Sequence, residues 1–231
     1  MLVRSYNDVH TPNVNCTLLY NCNSVDRGKN YWLGKDDHPH NYIEEYLHQW
    51  YNAFLTGDYI GLEYWVYGSE KGNSFDPFHF DKDESDPQIE HPKWSAVVNL
   101  TYDHGATCIS DMTYGTIKPS ECVYSYGNES KTVIWDGNVA WADLAGDEDR
   151  RLYINVWTTR KPKGLSRTKE MPYYPMSMIK GMYEKDKIIP YDGEYITHTH
   201  ICQDMFDQFV LKEPSEIEPG CTYRVTDVVV A

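Results

Sequence analysis

The sequence predicts a mainly β protein, a sandwich or jelly roll with at least one early helix, and three observations carry that expectation. Short β-rich runs recur at close spacing between residues 60 and 158, separated by Gly, Asp, Asn or Pro clusters. Aromatic content is high, with 20 tyrosines and 7 tryptophans, and such side chains suit pleated, half-buried surfaces. One early stretch has clear helical periodicity. A chain of 231 residues fits one domain with a substantial core, here divided into an arm (1–39), a helix plus β core (40–163) and a covering segment (164–231).

The arm is polar and turn-rich, and its one short apolar run, containing Cys16, Leu18, Leu19 and Tyr20, reads as an outer strand. Across residues 41–55, Ile43, Tyr46, Leu47, Trp50, Phe54 and Leu55 recur at three- and four-residue spacing, which predicts a helix ended by Thr56, Gly57 and Asp58. His48 lies within it and reads as an exposed or hydrogen-bonded residue. The period then changes to two: Leu62, Tyr64 and Val66 alternate with Glu63, Trp65 and Tyr67, a strand closed by Gly68. Further strands are expected at 94–102, 106–110, 121–126, 131–135 and 150–158. Beyond Trp157 comes a basic, proline-containing run, then residues 171–192 with weak periodicity, which read as a cover. A last strand is expected within 222–230.

Composition excludes several classes of function. A formal net charge of −14 is wrong for nucleic acid, whose phosphates need a basic footprint, so a small molecule or peptide is the expected partner. Six widely spread cysteines with no Cys-x-x-Cys pair predict reduced thiols. The start lacks an apolar leader and no run reaches membrane-spanning length, so a cytoplasmic location and no membrane partner are expected. Nothing in the pattern specifies an oligomeric state.

The chemistry concentrates at His79 and Asp81, within a run from Phe78 to Glu84 that reads Phe, His, Phe, Asp, Lys, Asp, Glu. In an extended segment residues i and i+2 face the same side, so the imidazole and the carboxylate converge while Phe80 packs behind them. Those are two of the three donors in the two-histidine, one-carboxylate site of non-haem iron oxygenases.

With this motif, Leu62 to Val66 ahead of it, His91 and Pro92 after it, Asp136, Gly137 and Asn138 further on, and Arg150 to Trp157 at the end, the chain resembles iron(II)/2-oxoglutarate-dependent oxygenases of the prolyl-hydroxylase-like branch. The resemblance spans roughly residues 60–163. It implies a double-stranded β-helix, a cupin-like jelly-roll barrel, buttressed by the early helix. It further implies iron(II) bound by His79 and Asp81, 2-oxoglutarate as cosubstrate, and Arg151 pairing with its distal carboxylate. A guanidinium offers a planar fork of donors that matches a carboxylate, and alternation puts Arg151, Tyr153 and Asn155 on one face; Arg150 is the one-residue register alternative.

One position departs from the family pattern: Trp141 stands where the second histidine belongs, and an indole N–H is a donor that cannot ligate a metal. Three readings follow. A replacement ligand completes the metal site, with Asp143 nearest and His104, His198 and His200 further off; or His79 and Asp81 bind iron as a two-residue site; or the fold persists as a catalytically inactive binding protein. The sequence favours an iron(II)/2-oxoglutarate oxygenase that hydroxylates or otherwise oxidises its substrate, with the inactive jelly-roll binding protein as the alternative. Tyr64, Trp94 and Tyr102 are candidate pocket-lining aromatics.

Overall fold

The computed structural model describes residues 1–68, 76–85, 87–102, 105–115, 119–144, 150–174, 177–205 and 207–226. Its strands are β1 Val3–Asn7, β2 Tyr31–Gly34, β3 Gly61–Gly68, β4 Asp76–His79, β5 Trp94–Asn99, β6 Ala106–Thr113, β7 Glu121–Tyr126, β8 Thr132–Asp136, β9 Val139–Leu144, β10 Arg150–Trp157, β11 Glu184–Lys185, β12 Ile188–Pro190, β13 Tyr195–Cys202, β14 Asp207–Pro214 and β15 Thr222–Thr226. Its helices are α1 Pro12–Cys22 and α2 Tyr42–Phe54. The protein is mainly β, as the strand spacing predicts.

The strands form two sheets among the described residues, ordered β11-β1-β8-β5-β10-β3-β2 and β12-β15-β7-β6-β9-β4-β13-β14. Pairing is antiparallel except for β12 with β15 and β4 with β13. Period-two alternation builds three apolar layers. Between the sheets, Val97, Val133, Trp135 and Tyr153 of the first meet Ile109, Val123, Val139 and Trp141 of the second. On the far side of the first sheet, Leu62, Tyr64, Val66, Leu152, Ile154 and Val156 take the apolar face of α2, and the Trp50 Nε1–H reaches Thr132 Oγ1 at 3.2 Å. The second sheet curls so that β13 and β14 cover its outer face, where Cys202, Phe209 and Leu211 pack with Phe78, Cys108 and Tyr124.

Helix α2 matches the expected 41–55 span. Asn41 caps it: its Oδ1 accepts the Glu44 N–H at 3.1 Å, and its Nδ2 donates to Thr168. The arm is the main correction. The run around Cys16–Tyr20 lies in helix α1, not in an outer strand, because Pro12 opens a helical turn and Val14, Leu18 and Cys22, four residues apart, are the apolar side chains that bury, with Asn15 beside them. The final strand, β15, ends at Thr226; residues 227–230 of the expected 222–230 span lie outside the described set.

Candidate functional site

Strand β4 ends at His79, and the chain leaves it still extended. Phe78 and Phe80 therefore enter the outer apolar layer of the second sheet, whereas His79 and Asp81 turn the other way. The segment is held firmly. Asp204 accepts from Phe80 N and pairs with Lys82, each at 2.7 Å, Gln203 N donates to Phe78 O, and Arg160 pairs with Asp83 at 3.0 Å.

His79 Nε2 lies 3.9 Å from Asp81 Oδ1. The other ring nitrogen, Nδ1, is 2.9 Å from Pro77 O; a carbonyl only accepts, so Nδ1 carries a proton and Nε2 is the ring nitrogen turned toward Asp81. That tautomer suits a metal ligand. The other carboxylate oxygen is committed: Trp141 Nε1 donates to Asp81 Oδ2 at 3.0 Å, and Ser95 Oγ lies 3.1 Å away. Burial raises the Asp81 carboxyl above its ordinary range, against the pull of His79, Trp141, Ser95 and Asn155.

Trp141 fills the position the resemblance assigns to a second histidine. On β9 it pairs with His79 across the sheet, and its ring centroid lies 4.5 Å from the His79 ring and 5.1 Å from that of Tyr153, with which it stacks. Tyr153 stacks in turn on Trp65 at 5.2 Å, so aromatic rings close the inner layer beside the His79–Asp81 pair. A polar chain leads away from Asp81: Ser95 Oγ is 2.7 Å from Asn155 Oδ1, and Asn155 and Trp157 donate to Glu63 Oε2 at 3.3 and 2.9 Å.

Asp143 lies two residues beyond Trp141 on the same inner face and takes a partner other than a metal. Arg151 Nη1 donates to its Oδ1 at 2.7 Å, Tyr153 OH donates to its Oδ2, and Thr107, its register neighbour on β6, approaches Oδ1 at 3.3 Å. Arg151 Nη1 also reaches Thr107 Oγ1 at 3.1 Å. All four residues are buried. Asp143 thus occupies the place on Arg151 where the resemblance puts the acid end of 2-oxoglutarate.

The other sequence candidates lie elsewhere. His198 and His200 sit on β13; His198 faces Glu213 at 3.4 Å, and His200 packs against Phe78 and Phe209 in the outer layer, so neither faces the pair. His104 is outside the described residues. Tyr64 packs under α2, Trp94 joins the same cluster, and Tyr102 is exposed, so the ring-lined face of the site is made instead by Trp65, Trp141 and Tyr153. Ser95 and Thr107 escaped notice in the sequence because a short hydroxyl on a β-branched background carries no signal; Tyr153 was legible only through its alternation with Arg151.

Fit to the implied groups is therefore partial for a metal and poor for the cosubstrate. Two donors converge, the third side holds an N–H, and no cluster of three or more His, Cys, Asp or Glu placed to hold a metal ion is found among the described residues. The guanidinium needed by a dicarboxylic acid is already paired. A scan against protein-family models and a search of curated proteins both give no match.

Proposed function

We propose that the chain is a catalytically inactive, cytoplasmic binding protein built on the double-stranded β-helix of the iron(II)/2-oxoglutarate oxygenases, with a peptide or small molecule as partner. The observation that supports this most is the pairing of Asp143 with Arg151, Tyr153 and Thr107, since it spends the cosubstrate anchor inside the protein. The Trp141 indole works in the same direction by donating to Asp81 where a ligand histidine would stand. Both side chains come from the inner face of β9, so a single strand closes the metal side and the acid side together. Six free cysteines, four of them buried, accord with a reducing compartment, and among the described residues no helix is long and apolar enough to cross a membrane.

The active-oxygenase reading keeps one specific support, the His79 ring whose Nε2 faces Asp81. On that reading iron with 2-oxoglutarate would supply the oxidant, while His79 and Asp81 hold the metal and Trp65 and Tyr153 shield it. The two readings separate in one experiment. Iron(II) and 2-oxoglutarate are added anaerobically, the iron-to-ketoacid charge-transfer band is recorded, oxygen is admitted and succinate is measured. The binding-protein reading expects neither band nor succinate. It expects Trp141→His alone to restore iron affinity without turnover, because Asp143 still holds Arg151. Wild-type succinate that disappears in Asp81→Ala would overturn it.

A further inference from the structure

We propose that Asp143 is the built-in occupant of a carboxylate-binding subsite, so that removing its side chain leaves a pocket that takes a small free carboxylate. The inference deepens the reading of β9 as the strand that closes the site and rests on it. Three donors from two strands, Arg151 Nη1 and Tyr153 OH from β10 and Thr107 Oγ1 from β6, converge on the two oxygens of a single carboxylate brought by β9. The arrangement crosses from one sheet to the other, since β10 belongs to the first and β6 and β9 to the second.

Electrostatics favour an anionic occupant. Arginine does not give up its proton in a protein, so a wholly buried guanidinium needs an anion beside it. Among the described residues the anion that Arg151 pairs with is Asp143, at 2.7 Å. The aromatic neighbours of the pocket, Trp141 and Trp65, stack on Tyr153 and hold its ring in place. Truncation of Asp143 to alanine removes one carboxylate group and leaves three oriented donors around the gap. A one-carbon carboxylate matches that gap in size and charge, and chloride or a neutral amide does not match its planar, two-oxygen pattern.

The test follows thermal stability of wild type, Asp143→Ala and Asp143→Ala/Arg151→Met in formate, in formamide and in chloride at equal ionic strength. The wild type should respond alike to all three. Asp143→Ala should be destabilised in chloride and regain stability with formate in a saturable way, its formate-specific shift at least about threefold that of wild type. Formamide should not rescue it, and the double variant should ignore formate. If Asp143→Ala is recovered only when formate is present during expression and purification, that recovery is itself the rescue. A folded Asp143→Ala with no formate-specific response overturns the inference. So does a variant that formate cannot recover although the double variant folds, and so does a wild type that binds formate as tightly as the variant. The two proposals fail separately: wild-type turnover of 2-oxoglutarate would remove the binding-protein reading while formate rescue still stood, and absent rescue without turnover would remove only the subsite.

Discussion

Replacing Lys131 by methionine should loosen the protein markedly, because its ammonium joins both sheets. The side chain is wholly buried and pairs with Asp186 Oδ2 at 3.1 Å. It also donates to Gly220 O at 2.7 Å, Thr222 Oγ1 at 3.0 Å and Tyr126 O at 3.1 Å, so one cation ties the start of β8 to the segments that carry β11, β15 and the end of β7. Methionine preserves the apolar stem and removes the charge. Breaking a buried pair from one side costs about 3–5 kcal/mol, and since Ser5 and Thr222 hydroxyls still donate to Asp186, a value of about 4 kcal/mol is expected. At ~2–4 °C per kcal/mol for a chain of this size, Tm should fall by roughly 8–16 °C. Burial lowers the Lys131 pKa, with Asp186 opposing, so removing both charges should be milder than removing one. Lys131→Met/Asp186→Leu should recover more than half of the loss in urea titration. A Lys131→Met protein within about 0.5 kcal/mol of wild type would refute the reasoning, since that is the range of an ordinary surface substitution.

Acid should destabilise the fold partly through His10, whose imidazole is buried and whose two nitrogens find no hydrogen-bond partner among the described residues, and whose pKa burial pushes down to about 4 from 6.5. Between pH 6.5 and about 4 the unfolded chain binds a proton that the folded chain refuses, so stability falls as pH drops through that window, by up to about 3 kcal/mol; His10→Phe should flatten this part of a stability-versus-pH curve measured by urea denaturation. Asn41→Ala removes the cap of α2 and its bond to Thr168, with an expected loss of about 1–2 kcal/mol in chemical denaturation. Gly137→Ala places a Cβ 2.3 Å from the backbone oxygen of Pro92, which cannot swing aside, so a cost of about 1–3 kcal/mol and an altered near-ultraviolet dichroism from Trp135 and Trp141 are expected.

The sequence discloses elements that carry strong periodicity and hides those that borrow their order from neighbours. Helix α2 was legible because it buries one face against a large partner, and strands β3, β5, β7 and β10 because their apolar and aromatic runs are long and bounded by turn residues. Helix α1 was misread since its buried set is only Val14, Asn15, Leu18 and Cys22 in a polar segment, too thin a stripe to outweigh a compact apolar run. The β13–β14 hairpin stayed hidden for a related reason. Most of β13 is exposed, Ile196 and Ile201 included, and these two isoleucines fall on opposite faces while His198 and His200 share the face of Ile196, so alternation of apolar and polar side chains is absent.

At the site, the limit was set by contacts between sheets. That His79 and Asp81 share a face follows from spacing alone, and so does the placement of Trp141 and Asp143 together on β9. The choice Asp143 makes between a cation and Arg151 does not follow, because β10 pairs with β3 and β5, not with β9, and the two side chains meet only when the first sheet closes on the second. Once they meet, the choice is decided by charge. Arg151 carries a full positive charge into a buried layer whatever else binds there, and Asp143 lies within its reach at 2.7 Å. The acid therefore belongs to the guanidinium, while Asp81 accepts the Trp141 N–H on its Oδ2.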